Sequence, residues 1–172
     1  MNFPLTKTLT KPLTKPLFEQ VVQIGIVVND AKASANCYKD LLDLDDWHFN
    51  EVDTSKGKGA NFRHGKKAIA AKAMIAWLPL GNVELELIEP RDEISVYAEF
   101  LRDKGPGIHH VMFVTPDYDR CVDALISQNV AVLGSGELQH TRFQLFDTFS
   151  DLGLICEIAE GKALIPDHTG LD

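Results

Sequence analysis

The chain has 172 residues, 45% of them hydrophobic and 24% charged, the balance of an ordinary globular domain, which excludes a disordered, fibrous or disulfide-stapled chain. Its net charge of −8 excludes a general nucleic-acid binder, whose phosphate-reading surface needs an excess of Lys and Arg. No apolar run approaches the roughly 20 residues that span a bilayer, so no membrane partner is expected.

The first residues, MNFPLTKTLTKPL, carry no apolar stretch of the secretory type. The tetrads PLTK, TLTK and PLTK between Pro4 and Lys15 disfavour a helix and predict an extended arm over residues 1–18. VVQIGIVV (21–28) is short and β-branched and ends at Asn29-Asp30, so a buried strand and then a helix cap are expected. Ser34, Cys37, Tyr38, Leu41 and Leu42 follow at helical spacing, and a looser strand covers 47–52. Residues 53–67, DTSKGKGANFRHGKK, are basic, Gly-rich and aperiodic, and read as a long loop. AMIAWLPL (73–80) and VELELIE (83–89) are two strands joined at Gly81-Asn82. A helix over about 94–103 leads to the boundary Lys104-Gly105-Pro106-Gly107. Beyond it come a strand (109–114), a helix opened by Pro116-Asp117, strands near 130–133, 141–148 and 153–160, and a polar tail over 162–172. Cys37, Cys121 and Cys156 lack metal-type spacing and sit at packing positions, so reduced thiols in a cytoplasmic protein are expected.

The order of elements repeats. Residues 23–30 (QIGIVVND) align without a gap on 110–117 (HVMFVTPD), and 85–89 (LELIE) on 156–160 (CEIAE). The predicted fold is therefore α+β: two βαβββ modules, 19–104 with its connecting helix and 105–161, paired into a curved eight-stranded half-barrel with helices outside.

Glu86 and Glu157 stand mid-strand in apolar runs, where a carboxylate is tolerated when wetted, paired or bound to a metal. Gln23 and His110 occupy equivalent positions in the first strands of the two modules, as Glu86 and Glu157 do in the fourth. A pseudo-twofold fold brings all four to one centre, and one nitrogen with three oxygens suits Zn²⁺, Ni²⁺, Co²⁺ or Mn²⁺. Strand alternation sends His109 to the face opposite His110. Arg63, His64, Lys67 and Lys72, in or beside the basic loop, are candidates for attracting an anionic substrate.

The segments QIGIVVNDAKASANCYKDLLDL, WLPLGNVELELIEP, GPGIHHVMFVTPD and GLICEIAE resemble the vicinal oxygen chelate superfamily (the glyoxalase, bleomycin-resistance and dioxygenase fold) over roughly residues 20–160. Within it they are most similar to methylmalonyl-CoA epimerases and their glyoxalase-like relatives. The resemblance places metal ligands on Gln23, Glu86, His110 and Glu157. It implies a metal-dependent isomerase or lyase that removes a proton beside a carbonyl of an acyl thioester or α-oxo compound, the divalent ion stabilising the enolate. Glu157 is then the first choice for the base and Glu86 the second, in a cytoplasmic homodimer. The chain departs from the family in two places: the epimerases usually have His where it has Gln23, and their second catalytic glutamate falls on Ile69. The alternatives are a drug-binding protein without turnover, or another metal enzyme of the superfamily such as a dioxygenase.

Overall fold

The computed structural model describes residues 16–56, 60–138 and 141–160; the repeated tetrads of the arm and the polar tail lie outside them. The β-branched run forms β1 (Gln20–Val27), and the Asp30 carboxylate accepts a hydrogen bond from Ala33 N (2.8 Å) to start α1 (Ala31–Leu42). β2 (His48–Asp53), a 3-10 turn (Thr54–Lys56), β3 (Ala60–His64) and β4 (Lys67–Ile69) follow. β5 (Lys72–Leu80) and β6 (Val83–Pro90) make a hairpin whose turn needs the positive φ that Gly81 supplies (65°). After α2 (Val96–Lys104) the second module runs β7 (Gly107–Thr115), α3 (Tyr118–Ser127), β8 (Val132–Leu138), β9 (Thr141–Phe146), the short α4 (Phe149–Leu152) and β10 (Ile155–Glu160). Asp117 caps α3 as Asp30 caps α1, accepting from Arg120 N at 3.1 Å.

All the strands join one mixed sheet, in the order β2-β5-β6-β1-β7-β10-β9-β8-β3-β4. The first eight are the two modules side by side. β1 lies antiparallel to β7 at the junction, and each of the two runs parallel to the fourth strand of its own half, β6 or β10. The sheet curls into a half-barrel of the expected kind, with ten strands among the described residues rather than eight. Of the extra pair, β3 lies within the stretch expected to be a loop and β4 begins at its last residue, Lys67. That stretch crosses to the far end of the sheet, where β3 pairs with β8 from His64↔Gly134 to Ala60↔Leu138. Two things drive this. The edge of β8 offers unpaired backbone groups, and Phe62 and Ile69 find an apolar bed with Leu145, Ile155 and Phe143.

Helices cover both faces. α1 packs through Ala31 and Ala35 on Met74, Ala76 and Leu87, and α3 through Tyr118 and Cys121 on Phe146, Cys156 and Ile158. Side chains of the opposite, inner face meet α2 instead, through Val96, Tyr97, Phe100 and Leu101. The last two residues of the predicted arm are part of the core. Leu17 is buried beside α3 and its carbonyl accepts from Cys121 Sγ (3.1 Å), while Phe18 stacks on Phe113 with ring centroids 4.7 Å apart. Thr148 pins the start of β10, its hydroxyl accepting from Cys156 N (2.9 Å) and donating to Leu154 O (2.7 Å). No helix among the described residues is long and apolar enough to cross a membrane.

The β1–β7 ladder carries two irregularities. Pairing skips from Val21 to Gln23 on β1 and from Ile108 to His110 on β7. Val22 and His109 are therefore bulged residues, and they are equivalent in the internal repeat. Val22 packs on Met112 and Ala159 of the inner face, and His109 turns to that face as well.

Candidate active site

Residues opposite one another in a ladder share a face. β6 sets Glu84 beside Gln23 and Glu86 beside Gly25; β7 sets His110 across from Gly25 and Met112 across from Gln23; β10 sets Glu157 beside Met112. The side chains expected to converge do so, all on the inner face. His110 Nε2 lies 3.1 Å from Glu157 Oε2, 3.4 Å from Gln23 Oε1 and 3.7 Å from Glu86 Oε2. Gln23, His110 and Glu157 are almost wholly buried, and Glu86 has a side-chain exposure of 15%.

Three residues that the sequence left without a role build this site. Glu84, also buried, accepts from Gln23 Nε2 at 2.6 Å. A carboxylate accepts from an amide only through its NH₂ group, so the oxygen of Gln23 is the atom turned to His110. Gly25 makes room: a Cβ there would lie 2.0 Å from His110 Cε1 and 2.3 Å from Nε2, so the imidazole rests directly on the backbone of β1. The only legible sign is a glycine inside a β-branched strand. Tyr97 of α2 packs its ring 4.9 Å from that of His109 and 6.2 Å from that of His110. The expectation that His109 points away from His110 is wrong because period-2 alternation fails at a bulge. The two Nδ1 atoms stand 3.1 Å apart, both rings buried.

Burial dominates the electrostatics. It raises the Glu86 carboxyl to about 8, with the nearby Glu84 charge adding to the effect. Burial likewise holds Glu157 well above the ordinary range, helped by Glu86, and His110 well below its own, helped by His109. Glu84 rises to about 7 by burial, opposed by its bond from Gln23. Burial thus presses each group toward its neutral form, and a bound dication would reverse that preference. Glu157 Oε2 is buried with His110 Nε2 as its polar neighbour at 3.1 Å and no other hydrogen-bond partner. The donors rest on one another, and among the described residues no group of three or more His, Cys, Asp or Glu stands as a ready-made cage. One imidazole nitrogen, one amide oxygen and two carboxylates are nonetheless a set that fits a divalent cation.

Of the four basic residues considered for anion binding, three have their polar partners outside the cluster. Arg63 donates to Lys66 O (2.9 Å), His64 sits against Glu99 (3.2 Å) and Ile94 O (3.0 Å), and Lys72 lies 3.7 Å from Asp53. Lys67 opens β4 and is exposed. Arg63 lines a cavity of about 600 Å³ with Phe62, Ile69, Tyr118, Arg142 and Phe143, apart from the His110 cluster. Ile69, at the position that matches the epimerases' second glutamate, is half-buried, packed against the Phe62 cluster and lining that cavity.

A family model described as the Glyoxalase/Bleomycin resistance protein/Dioxygenase superfamily matches residues 22–144. The chain is 30% identical over 110 residues to the uncharacterized protein YqjC of Bacillus subtilis, covering 64% of this chain and 67% of that protein. It is 32% identical over 116 residues to the ethylmalonyl-CoA/methylmalonyl-CoA epimerase of Cereibacter sphaeroides, covering 66% and 74%. A variant of Streptomyces coelicolor methylmalonyl-CoA epimerase in complex with 2-nitronate-propionyl-CoA shares the fold at a TM-score of 0.60 and 20% identity, over 85% of this chain and 96% of that one. The methylmalonyl-CoA epimerase of Mycobacterium tuberculosis shares it at 0.57 and 22%, over 87% and 92%.

Proposed function

The chain belongs to the glyoxalase/bleomycin resistance protein/dioxygenase superfamily, and from that premise we propose that it is a metal-dependent isomerase of the epimerase type, acting on the carbon beside the carbonyl of an acyl-CoA thioester. One observation carries this reading: the oxygens of Gln23, Glu86 and Glu157 converge on His110 Nε2 at 3.4, 3.7 and 3.1 Å in a buried cluster. The 32% identity to a protein named as an ethylmalonyl-CoA/methylmalonyl-CoA epimerase supports the substrate class.

Gln23 Oε1, His110 Nε2 and the two carboxylates are the atoms that would hold the ion. A divalent cation so held supplies a Lewis acid for the charge that develops on neighbouring substrate oxygens. Glu157 is the base, a carboxylate at the centre of the cluster that can leave the ion to take the proton. Inversion requires the proton to return from the other side. With no carboxylate at Ile69, Glu86 is the second proton carrier, its Oε2 3.7 Å from the same His110 Nε2 that Glu157 approaches at 3.1 Å. Gln23 and His110 hold position without exchanging protons. A cytoplasmic homodimer belongs to the same proposal, and sedimentation of the purified chain reads out the dimer.

The test is deuterium uptake at C2 of methylmalonyl-CoA in D₂O, beside metal analysis of protein purified without added metal. The expected result is about one divalent ion per chain and exchange that falls by at least about 10²-fold in Glu157→Gln. Protein that takes up no Co²⁺, Ni²⁺, Mn²⁺ or Zn²⁺, or a Glu157→Gln variant that exchanges as the parent does, overturns the reading.

A further inference from the structure

We propose that His109 is the positioning residue of the site, the group that fixes which nitrogen of His110 carries the proton. The inference rests on the reading that His110 Nε2 binds a cation. It starts from the bulge: pairing jumps from Ile108 to His110, and the unopposed His109 swings to the inner face. Its Nδ1 then meets His110 Nδ1 at 3.1 Å, with both rings at or below 1% exposure. Two imidazole nitrogens at that distance share a single proton, since two N–H groups would collide and two lone pairs would repel.

The proton's place follows from what lies on the other side of the ring. His110 Nε2 faces Gln23 Oε1, Glu86 and Glu157, and it binds a cation only through its lone pair. The proton of neutral His110 therefore sits on Nδ1 and is donated to His109 Nδ1, which accepts. His109 in turn carries its own proton on Nε2. Ligating histidines are ordinarily held through their second nitrogen by a carboxylate, carbonyl or water; here the partner is a second imidazole.

The surroundings make His109 a rigid acceptor. Its ring stands edge-on to Tyr97 (4.9 Å) and Phe100 (5.0 Å), both from α2, and to His110 (5.3 Å). The other half of the molecule provides an internal comparison. Val22, at the equivalent bulge, packs on Met112 and Ala159 and offers no nitrogen to Gln23. Gln23 needs none, because Glu84 already orients its amide. The two halves have thus solved one problem, aiming a neutral donor, with different residues.

The test uses His109→Phe, which keeps an aromatic ring in the slot but removes the acceptor, and His109→Asn, which restores a hydrogen-bonding side chain. Co²⁺ and Zn²⁺ affinities are measured by titration on the full chain. The expected result is a loss of about 10–100-fold for Phe, with Asn recovering part of it, while the thermal midpoint of the metal-free His109→Phe protein stays within a few degrees of the parent. A second readout needs no variant: long-range ¹H–¹⁵N NMR of the Zn²⁺-loaded parent should show His110 protonated at Nδ1 and His109 at Nε2. Unchanged affinity in the Phe variant, or a proton on His109 Nδ1 in the loaded parent, overturns the assignment. A parent chain that binds no cation overturns the metal reading itself and this assignment with it, which separates the two failures.

Discussion

Replacing Gly25 with alanine tests how the site is built. A Cβ at that position would stand 2.0, 2.3 and 2.5 Å from three atoms of the His110 ring, where ordinary contact begins near 3.4 Å. The ring would have to retreat by more than an ångström, yet it is fully buried and boxed by Tyr97 and His109. Overpacking of this kind costs about 1–3 kcal/mol, sometimes more, and each kcal/mol lowers the melting midpoint by about 2–4 °C in a chain of this size. The variant should also lose cation affinity, because the displaced nitrogen is the one that Gln23 and the carboxylates face. A double-mutant cycle isolates the cause. In a His110→Ala background the offending atoms are gone, so Gly25→Ala should cost no more than about 0.5 kcal/mol there. Gly107→Ala serves as the control, since a Cβ at that position would meet nothing within 4 Å. Denaturant melts of the four proteins of the cycle give the coupling energy. An equal cost of Gly25→Ala in both backgrounds would refute the claim that His110 rests on the β1 backbone.

Four further outcomes follow from the packing. Thr148→Val removes a hydroxyl that satisfies both Cys156 N and Leu154 O; urea melts should show a loss of about 1–3 kcal/mol, the cost of stranding buried polar groups. Asp117→Ala deletes the cap of α3 and should cost about 1 kcal/mol, measured the same way, with Asp117→Ser recovering most of it. Cys37 is exposed while Cys121 and Cys156 are buried, so native protein at pH 8 should take up iodoacetamide at Cys37 alone, read by peptide mass. Cys156 is moreover held neutral by burial, its thiol pushed up to about 12. A folded value above the unfolded one means that stability is intact below about pH 9 and declines above it, a slope that Cys156→Ala should lessen in thermal melts.

Much of this molecule could be read from the chain because the duplication is written in the residues themselves. Gln23 aligns with His110 and Glu86 with Glu157, and parallel pairing of β1 with β6 and of β7 with β10 carries each pair to the same depth of the same face. What stayed hidden has a common cause, which is that the deciding partner lies far away in sequence. Alternation places His109 on the wrong face because the bulge depends on how β7 meets β1. Gly25 is needed for a ring 85 residues downstream. The basic stretch around Arg63 has no period of its own, and becomes a hairpin only when the edge of β8 and the bed formed by Leu145 and Ile155 exist to receive it. Leu17 and Phe18 follow a repetitive polar segment, and only the presence of α3 and Phe113 makes them core residues.

That hairpin has a consequence for how the chain reaches its native state. β3 belongs to the first half by sequence, yet its ladder partners on β8 are about 70 residues away, and contacts of such span form slowly because loop closure precedes any reward. The strap cannot settle until the second half has presented β8, so the two halves finish folding together rather than one after the other. A fragment limited to residues 105–160 would leave β8 as a bare sheet edge, the kind of surface that recruits strands from other chains. In the whole protein that edge is closed by β3, and the sheet ends instead on β4, a strand of three residues that begins with a lysine and offers too little backbone to template another chain. The crossing segment is thus both a late step in assembly and the safeguard against the wrong one.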